Sequence, residues 1–220
     1  MVNAKYHPAS PFRYPPHFSH PEEFPHFFLA HIPLWDAHLS SLRDKPNVCL
    51  EIGALYGGAS MYILENFCKA EGSHLYIADL NRNEYITNNI APYDNVTFHE
   101  GMSEDTLRTL SHNGQTKEFL DFIYIDGNHM AKHALEDAVN AFYLLKPGGV
   151  MVFDDYGWGQ DLPIHQQPTT GIDAFIYAYR AYLEEIYMGY HVMLRRSNYD
   201  MTQDERDMNY YEGKKIIKKI

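Results

Sequence analysis

Apolar residues fall along this chain in short runs separated by stretches of helical spacing. Five runs, Val48–Ile52, Leu75–Ala78, Val96–His99, Phe122–Ile125 and Val150–Phe153, are too short for helices and rich in β-branched and aromatic residues, which predicts buried strands. Between them the apolar positions move to a spacing of three and four. Met130–Leu145 carries Ala134, Ala138, Ala141, Phe142 and Leu145 on one face, as a core-facing helix requires. Lys146-Pro147-Gly148-Gly149 is expected to end that helix, since proline cannot continue it and glycine accepts positive φ. Further helices are expected after Ser60 to about Lys69, over Tyr85–Ile90, and from Ser103, as an N-cap, to Leu110. Phe24–Leu42 predicts one or two helices broken near Pro33. A last helix, Ile172–Glu185, precedes the strands Glu185–Met188 and His191–Arg196, which flank Gly189-Tyr190 as an antiparallel hairpin. Strand alternating with helix predicts a doubly wound α/β fold, with a mostly parallel seven-stranded sheet, right-handed crossovers and a closing hairpin.

The strand ends carry the chemistry. Phe122–Ile125 stops at Asp126, and Val150–Phe153 stops at Asp154-Asp155. In a parallel sheet these three carboxylates meet at the carboxyl edge, where open α/β sheets bind ligands. They repel one another unless a cation sits among them, and a hard divalent ion with oxygen ligands is the simplest choice. The first strand runs into Glu51-Ile52-Gly53-Ala54-Leu55-Tyr56-Gly57-Gly58-Ala59-Ser60. The second glycine of the dinucleotide fingerprint falls at Leu55, which argues against a nicotinamide oxidoreductase. The remaining pattern, E-x-G-x-x-x-G, still suits a backbone that approaches a ligand at a helix N-terminus. Asp79 ends the next strand, where an acid can reach ribose hydroxyls.

Composition narrows the setting. At 220 residues the chain is long enough for one full core. A formal charge of −11, from 29 acidic and 18 basic residues, argues against nucleic acid as a partner. No apolar stretch spans a membrane, and the start lacks an apolar signal core. The two cysteines, Cys49 and Cys68, fit reduced core positions, which with the missing signal points to the cytoplasm. Residues 1–45 form an aromatic, proline-rich arm and helices, 46–196 the α/β domain and 197–220 a polar tail. The arm is expected to dock on the body or on a neighbouring copy as a homodimer contact, with His7, His17, His20 and His26 as surface or packing residues.

In order, the E-x-G-x-x-x-G loop, Asp79, Gly101-Met102-Ser103 and the strand–helix–LKPGG–strand unit resemble the class I S-adenosylmethionine-dependent methyltransferases over Val48 to Arg196. That resemblance implies a Rossmann-like sheet and cofactor contacts from Glu51, Gly53, Ala54, Tyr56, Gly57, Ser60, Asp79, Met102, Ser103 and Asp126. The stretch from Ile125-Asp126-Gly127-Asn128-His129 to Val152-Phe153-Asp154-Asp155-Tyr156 is similar to the metal-dependent O-methyltransferases of the macrocin and catechol type. It implies Asp126, Asp154 and Asp155 as ligands of a divalent ion, usually magnesium. The catechol-type base, a lysine three positions after the first ligand, falls at His129, and Asp126 is the other choice of base. Ala59 stands where that type has the serine that binds the methionine carboxylate, with Ser60 one place on. Tyr156 and Trp158 are expected to line the acceptor pocket. The expected activity is transfer of a methyl group to a hydroxyl of a small molecule such as a sugar, a phenol or another diol. The alternatives are metal-independent N-methylation and a non-catalytic cofactor-binding protein.

Overall fold

The computed structural model describes residues 7–22, 24, 26–112 and 118–199. Seven strands form one sheet: β1 Val48–Ile52, β2 His74–Asp79, β3 Val96–Glu100, β4 Leu120–Ile125, β5 Leu145–Phe153, β6 Leu183–Met188 and β7 Val192–Arg196. Their order is β3-β2-β1-β4-β5-β7-β6. The first five strands are parallel, and β7 runs antiparallel to both β5 and β6. Six helices cover the sheet: α1 Ile32–His38, α2 Gly58–Asn66, α3 Glu84–Ile90, α4 Ser103–His112, α5 Ala131–Phe142 and α6 Pro168–Tyr179. Strand order reverses between β1 and β4, and the ligand-binding crevice of such sheets lies at that switch.

The period of two along each strand sorts the core into two layers. Cys49, Phe122, Tyr124, Val150 and Val152 face the arm, α1 and α2. Leu50, Ile123, Ile125, Met151 and Phe153 face α4, α5 and α6. Trp35 of α1 is fully buried, edge-on to Phe122 and Tyr124. The arm docks on its own body: Phe12, Tyr14 and Phe18 are buried beside Tyr62 and Phe28. Cys49 and Cys68 are free thiols, both buried.

Two boundaries differ from the sequence expectation. α5 ends at Phe142, and the LKPGG segment enters β5 through an irregularity: Leu120 pairs with Leu145, but Phe122 pairs with Val150. Lys146 holds that bulge by reaching Asp121 at 2.8 and 2.9 Å, and a bulge tolerates the missing amide of Pro147. α6 stops at Tyr179, because Leu183–Met188 is drawn into pairing with β7 and tertiary pairing overrides the helical pattern. The expected break near Pro33 is present: a 3-10 turn, Phe27–Ala30, ends at His31, and α1 begins with Pro33 in its first turn, a position where its missing N–H costs nothing. Most of the polar tail, from residue 200, lies outside the described residues. No helix among the described residues is long and apolar enough to cross a membrane.

Candidate active site

A cavity of about 670 Å³ opens at the carboxyl edge of β1, β2, β4 and β5. Its wall holds Asp79, Asp126, Asp154 and Asp155, together with His31, His129, His133, Trp158 and Tyr190, and no lysine or arginine among the described residues.

The glycine loop is fastened before any ligand arrives. Gly53 has φ +85, and a Cβ there would lie 1.9 Å from the Asp126 carbonyl oxygen, so only glycine lets the two loops meet. The Gly53 amide donates to Ala78 O at 2.8 Å, and the Asp126 amide to Ile52 O at 2.8 Å. Ala54 and Leu55 donate their amides to Asp79 Oδ2 at 2.7 and 3.0 Å. Asp79 therefore shapes the loop while lining the cavity beside Met102 and Ser103. Glu51, Ala54 and Tyr56 line a smaller neighbouring cavity.

Several expected cofactor contacts have other duties. Ser60 is fully buried and donates to Glu51 Oε2 at 2.5 Å, facing neither cavity. Burial, helped by Asp79 and opposed by Ser60, pushes the Glu51 carboxyl up to about 8. Gly57 precedes α2 with φ +86 and shapes the turn without lining either cavity. Ser103 is the first residue of α4, and its hydroxyl donates to Asp137 at 2.6 Å rather than acting as the expected cap. Tyr156 also departs from expectation. Its hydroxyl donates to Asp173 of α6 at 2.8 Å, and it stands outside the cavity wall. Trp158 lines the cavity, with its ring edge-on to His129 at 4.8 Å between centroids.

The acidic group is tied together by side chains from distant segments. Tyr124 donates its hydroxyl to Asp154 Oδ2 at 2.6 Å and lies 3.2 Å from Asp126 Oδ2. Asp154 Oδ1 accepts the Asp155 amide at 2.7 Å and lies 2.7 Å from His191 Nε2. His191 is fully buried, and its Nδ1 accepts the Trp35 indole N–H at 3.2 Å. An imidazole that accepts at Nδ1 carries its proton on Nε2 when neutral. Trp35 thus favours the tautomer with its proton on Nε2, the nitrogen beside Asp154, and His31, Asp154 and His191 form a second group whose ligand atoms lie close enough to share an ion. His31 stacks on His191 at 3.9 Å. Burial raises the Asp154 carboxyl, but His191, His31 and Tyr124 outweigh it and hold Asp154 below the usual carboxylate range.

Asp155 adopts φ +55, a strained backbone for a non-glycine residue. Tyr190 donates to its Oδ1 at 2.7 Å, and His129 Nε2 lies 2.9 Å from its Oδ2 and 3.9 Å from Asp126 Oδ1. The hydrogen bond to Asp155 raises His129 above its ordinary value. Burial raises Asp126 far above the carboxylate range, and Asp154, Asp155 and Glu51 push the same way. The donor set suits a hard divalent ion: Asp126 and Asp155 come together with His129, Asp154 adjoins them through Tyr124, and a cation would relieve the repulsion at Asp126. The strand-end acids were readable in the sequence; His31, Tyr124, Tyr190, His191 and Trp35 were not, since each reads locally as core or turn.

Residues 50–156 match the family model described as a methyltransferase domain. No curated protein sequence matches the chain. Among solved structures, the chain is similar to the MycE methyltransferase from the mycinamycin biosynthetic pathway, in complex with Mg, S-adenosylhomocysteine and mycinamycin VI. Identity is 17% and the TM-score 0.61, over 80% of this chain and 51% of that one, so the chain spans about half the length of MycE. An O-methyltransferase from Bacillus cereus in complex with S-adenosylhomocysteine is 19% identical, with a TM-score of 0.58 over 84% of each chain. The O-methyltransferase TomG from Streptomyces achromogenes, in complex with S-adenosylmethionine, is 20% identical, with a TM-score of 0.58 over 76% of this chain and 81% of that one. Residues 50–156 thus match a methyltransferase domain, and the likeness to these solved structures shows a shared fold.

Proposed function

We propose that the chain is an S-adenosylmethionine-dependent O-methyltransferase that uses a divalent cation, with magnesium favoured, and acts on a hydroxyl of a small molecule such as a sugar, a phenol or another diol. The observation that carries this reading is the set Asp126, Asp154, Asp155 and His129, gathered in a cavity with no lysine or arginine in its described wall. MycE, whose complex contains Mg, and the O-methyltransferases from B. cereus and S. achromogenes support it through their fold.

When bound, S-adenosylmethionine supplies an electrophilic methyl group, and a divalent ion lowers the pKa of a coordinated hydroxyl. The chain's own residues do the rest. Asp126, Asp154 and Asp155 would hold the ion, and Tyr124 and His191 fix the orientation of Asp154. Asp155 takes the Nε2 side of His129, which leaves Nδ1 as the atom that holds the acceptor's proton. Trp158 covers His129 and narrows the approach to it. Holding donor and acceptor in line can account for several powers of ten in rate.

One observation favours metal-independent N-methylation instead: both oxygens of Asp154 already have partners within the chain. The test is methyl transfer from S-adenosylmethionine to a panel of diols, phenols and amines, with and without a chelator. Turnover of a hydroxylated acceptor that chelator abolishes and magnesium restores is the expected result. Turnover of amines only, unchanged by chelator, would sink the proposal.

A further inference from the structure

A second, smaller cavity of about 60 Å³ lies behind the glycine loop and shares Phe27, Gly53, Leu55 and Asp126 with the large one. At roughly 30 Å³ per water, it has room for a polar group of a few heavy atoms. Two of its lining side chains carry buried polar atoms with no hydrogen-bond partner among the described residues: Glu51 Oε1 and His26 Nε2. Such atoms are costly unless something fills the place. Glu51 is fully buried, and its other oxygen is taken by Ser60.

His26 belongs to the N-terminal arm, and the arm is seated so as to present it. Tyr14 donates its hydroxyl to Gly58 O at 2.9 Å at the start of α2. The His26 ring packs against the stacked pair Tyr14 and Phe18, at 4.5 and 5.1 Å. Gly58 is what admits it: a Cβ there would come within 3.1 Å of His26 Cε1. No lysine or arginine lines this cavity, and burial, helped by His20, lowers His26 to about 4, so His26 offers a neutral imidazole whose N–H can donate. The Ser60 hydroxyl, being held on Glu51, is turned away from it.

We infer that His26 is a cofactor-binding residue: it donates Nε2–H to the α-carboxylate of the methionyl end of S-adenosylmethionine, while Glu51 Oε1 takes the α-ammonium. This rests on the reading that S-adenosylmethionine is the cofactor. The arm then completes the binding site, and the two unpartnered buried atoms meet the two opposite charges of one zwitterion.

The test separates the aminoacyl end from the rest of the cofactor. S-adenosylhomocysteine and 5′-methylthioadenosine share the adenosine and the thioether, and only the first has the aminoacyl end. Calorimetry on the whole chain should show His26→Ala weakening S-adenosylhomocysteine roughly ten- to hundredfold, as the loss of a charge-assisted hydrogen bond does, with methylthioadenosine unchanged. His26→Gln, which keeps an N–H donor, should recover most of the loss. On the wild type, decarboxylated S-adenosylmethionine should bind more weakly than S-adenosylmethionine by a similar factor; His26→Ala should erase that difference and His26→Gln should keep most of it, so the comparison stands even if one of the two variants folds poorly. Equal losses for both ligands, no loss for S-adenosylhomocysteine, or additive losses in the carboxylate comparison would overturn the inference and leave the cofactor reading intact. A wild type that binds none of these ligands would overturn both.

Discussion

The two edges of the sheet handle charge in opposite ways. At the amino edge, Asp121 is paired with Lys146, and Glu118 with Arg196 at 2.5 Å. Arg196 is 3% exposed, reaches the carbonyls of Phe142 and Leu145, and lies 4.8 Å from the centre of the Phe142 ring. At the carboxyl edge, four aspartates share a cavity with histidines, a tyrosine and a tryptophan, and with no described lysine or arginine. One edge is neutralised by the chain itself. The other is balanced only in part, by His191 at Asp154 and His129 at Asp155, and leaves Asp126 buried among like charges, a field that would favour a cationic ligand.

The contrast breaks first, and most, at Asp154. Asp154→Ala is expected to lower the divalent-ion affinity of the folded protein at least a hundredfold by calorimetry, together with a fall in thermal midpoint, because Tyr124 and the Asp155 amide lose their acceptor. A variant that binds magnesium as the wild type does would remove Asp154 from the ligand set. Arg196→Ala attacks the other edge and should cost stability only. Leaving Glu118 and two carbonyls without their buried partner is worth about 3–5 kcal/mol in a denaturant titration, with the ion affinity of the folded fraction unchanged.

Glu51 sharpens the comparison through pH. Its folded pKa of about 8 lies above the ordinary 4.5 because burial penalises the charge. The protonated form therefore stabilises the ligand-free protein fully below the ordinary value, and that contribution is lost as pH rises through the folded value. The thermal midpoint of the ligand-free wild type should fall relative to that of Glu51→Gln between those two pH values. Parallel curves would count against a buried, strained Glu51. The smallest effect is expected from Tyr190→Phe, which removes one hydrogen bond from Asp155 at the rim of the cavity. Divalent-ion affinity should drop less than tenfold and the thermal midpoint should hold; a larger loss would put Tyr190 among the residues that build the ion site.

How much of this was legible in the sequence follows from how local each signal is. Strand-end acids are legible because the period of a strand and the rule of parallel crossovers place them without further knowledge. Gly53 and Asp79 are legible for the same reason. Side-chain direction at a helix start is not: Ser60 and Ser103 turn toward Glu51 and Asp137 because packing, not spacing, sets where each hydroxyl finds a partner. Tyr124 sits inside an apolar strand and gives no sign that its hydroxyl bridges two aspartates. His191 precedes β7 and meets Trp35, 156 positions earlier, only in the folded chain. The boundary between α6 and β6 was lost likewise, since helical spacing continues into residues that β7 recruits as a strand.

The placement of the chain's two tryptophans has a practical reading. Trp35 is sealed in the core with its indole N–H engaged by His191, whereas Trp158 is 39% exposed at the cavity mouth against His129. Their emission should be separable, blue-shifted for the sealed indole and red-shifted for the wetted one. Trp158 alone should answer to ligand occupancy and to added quencher, while Trp35 should stay silent until the whole domain melts. The protein therefore carries its own pair of optical probes, one for occupancy and one for integrity, and no label is needed to tell a ligand that binds from one that unfolds.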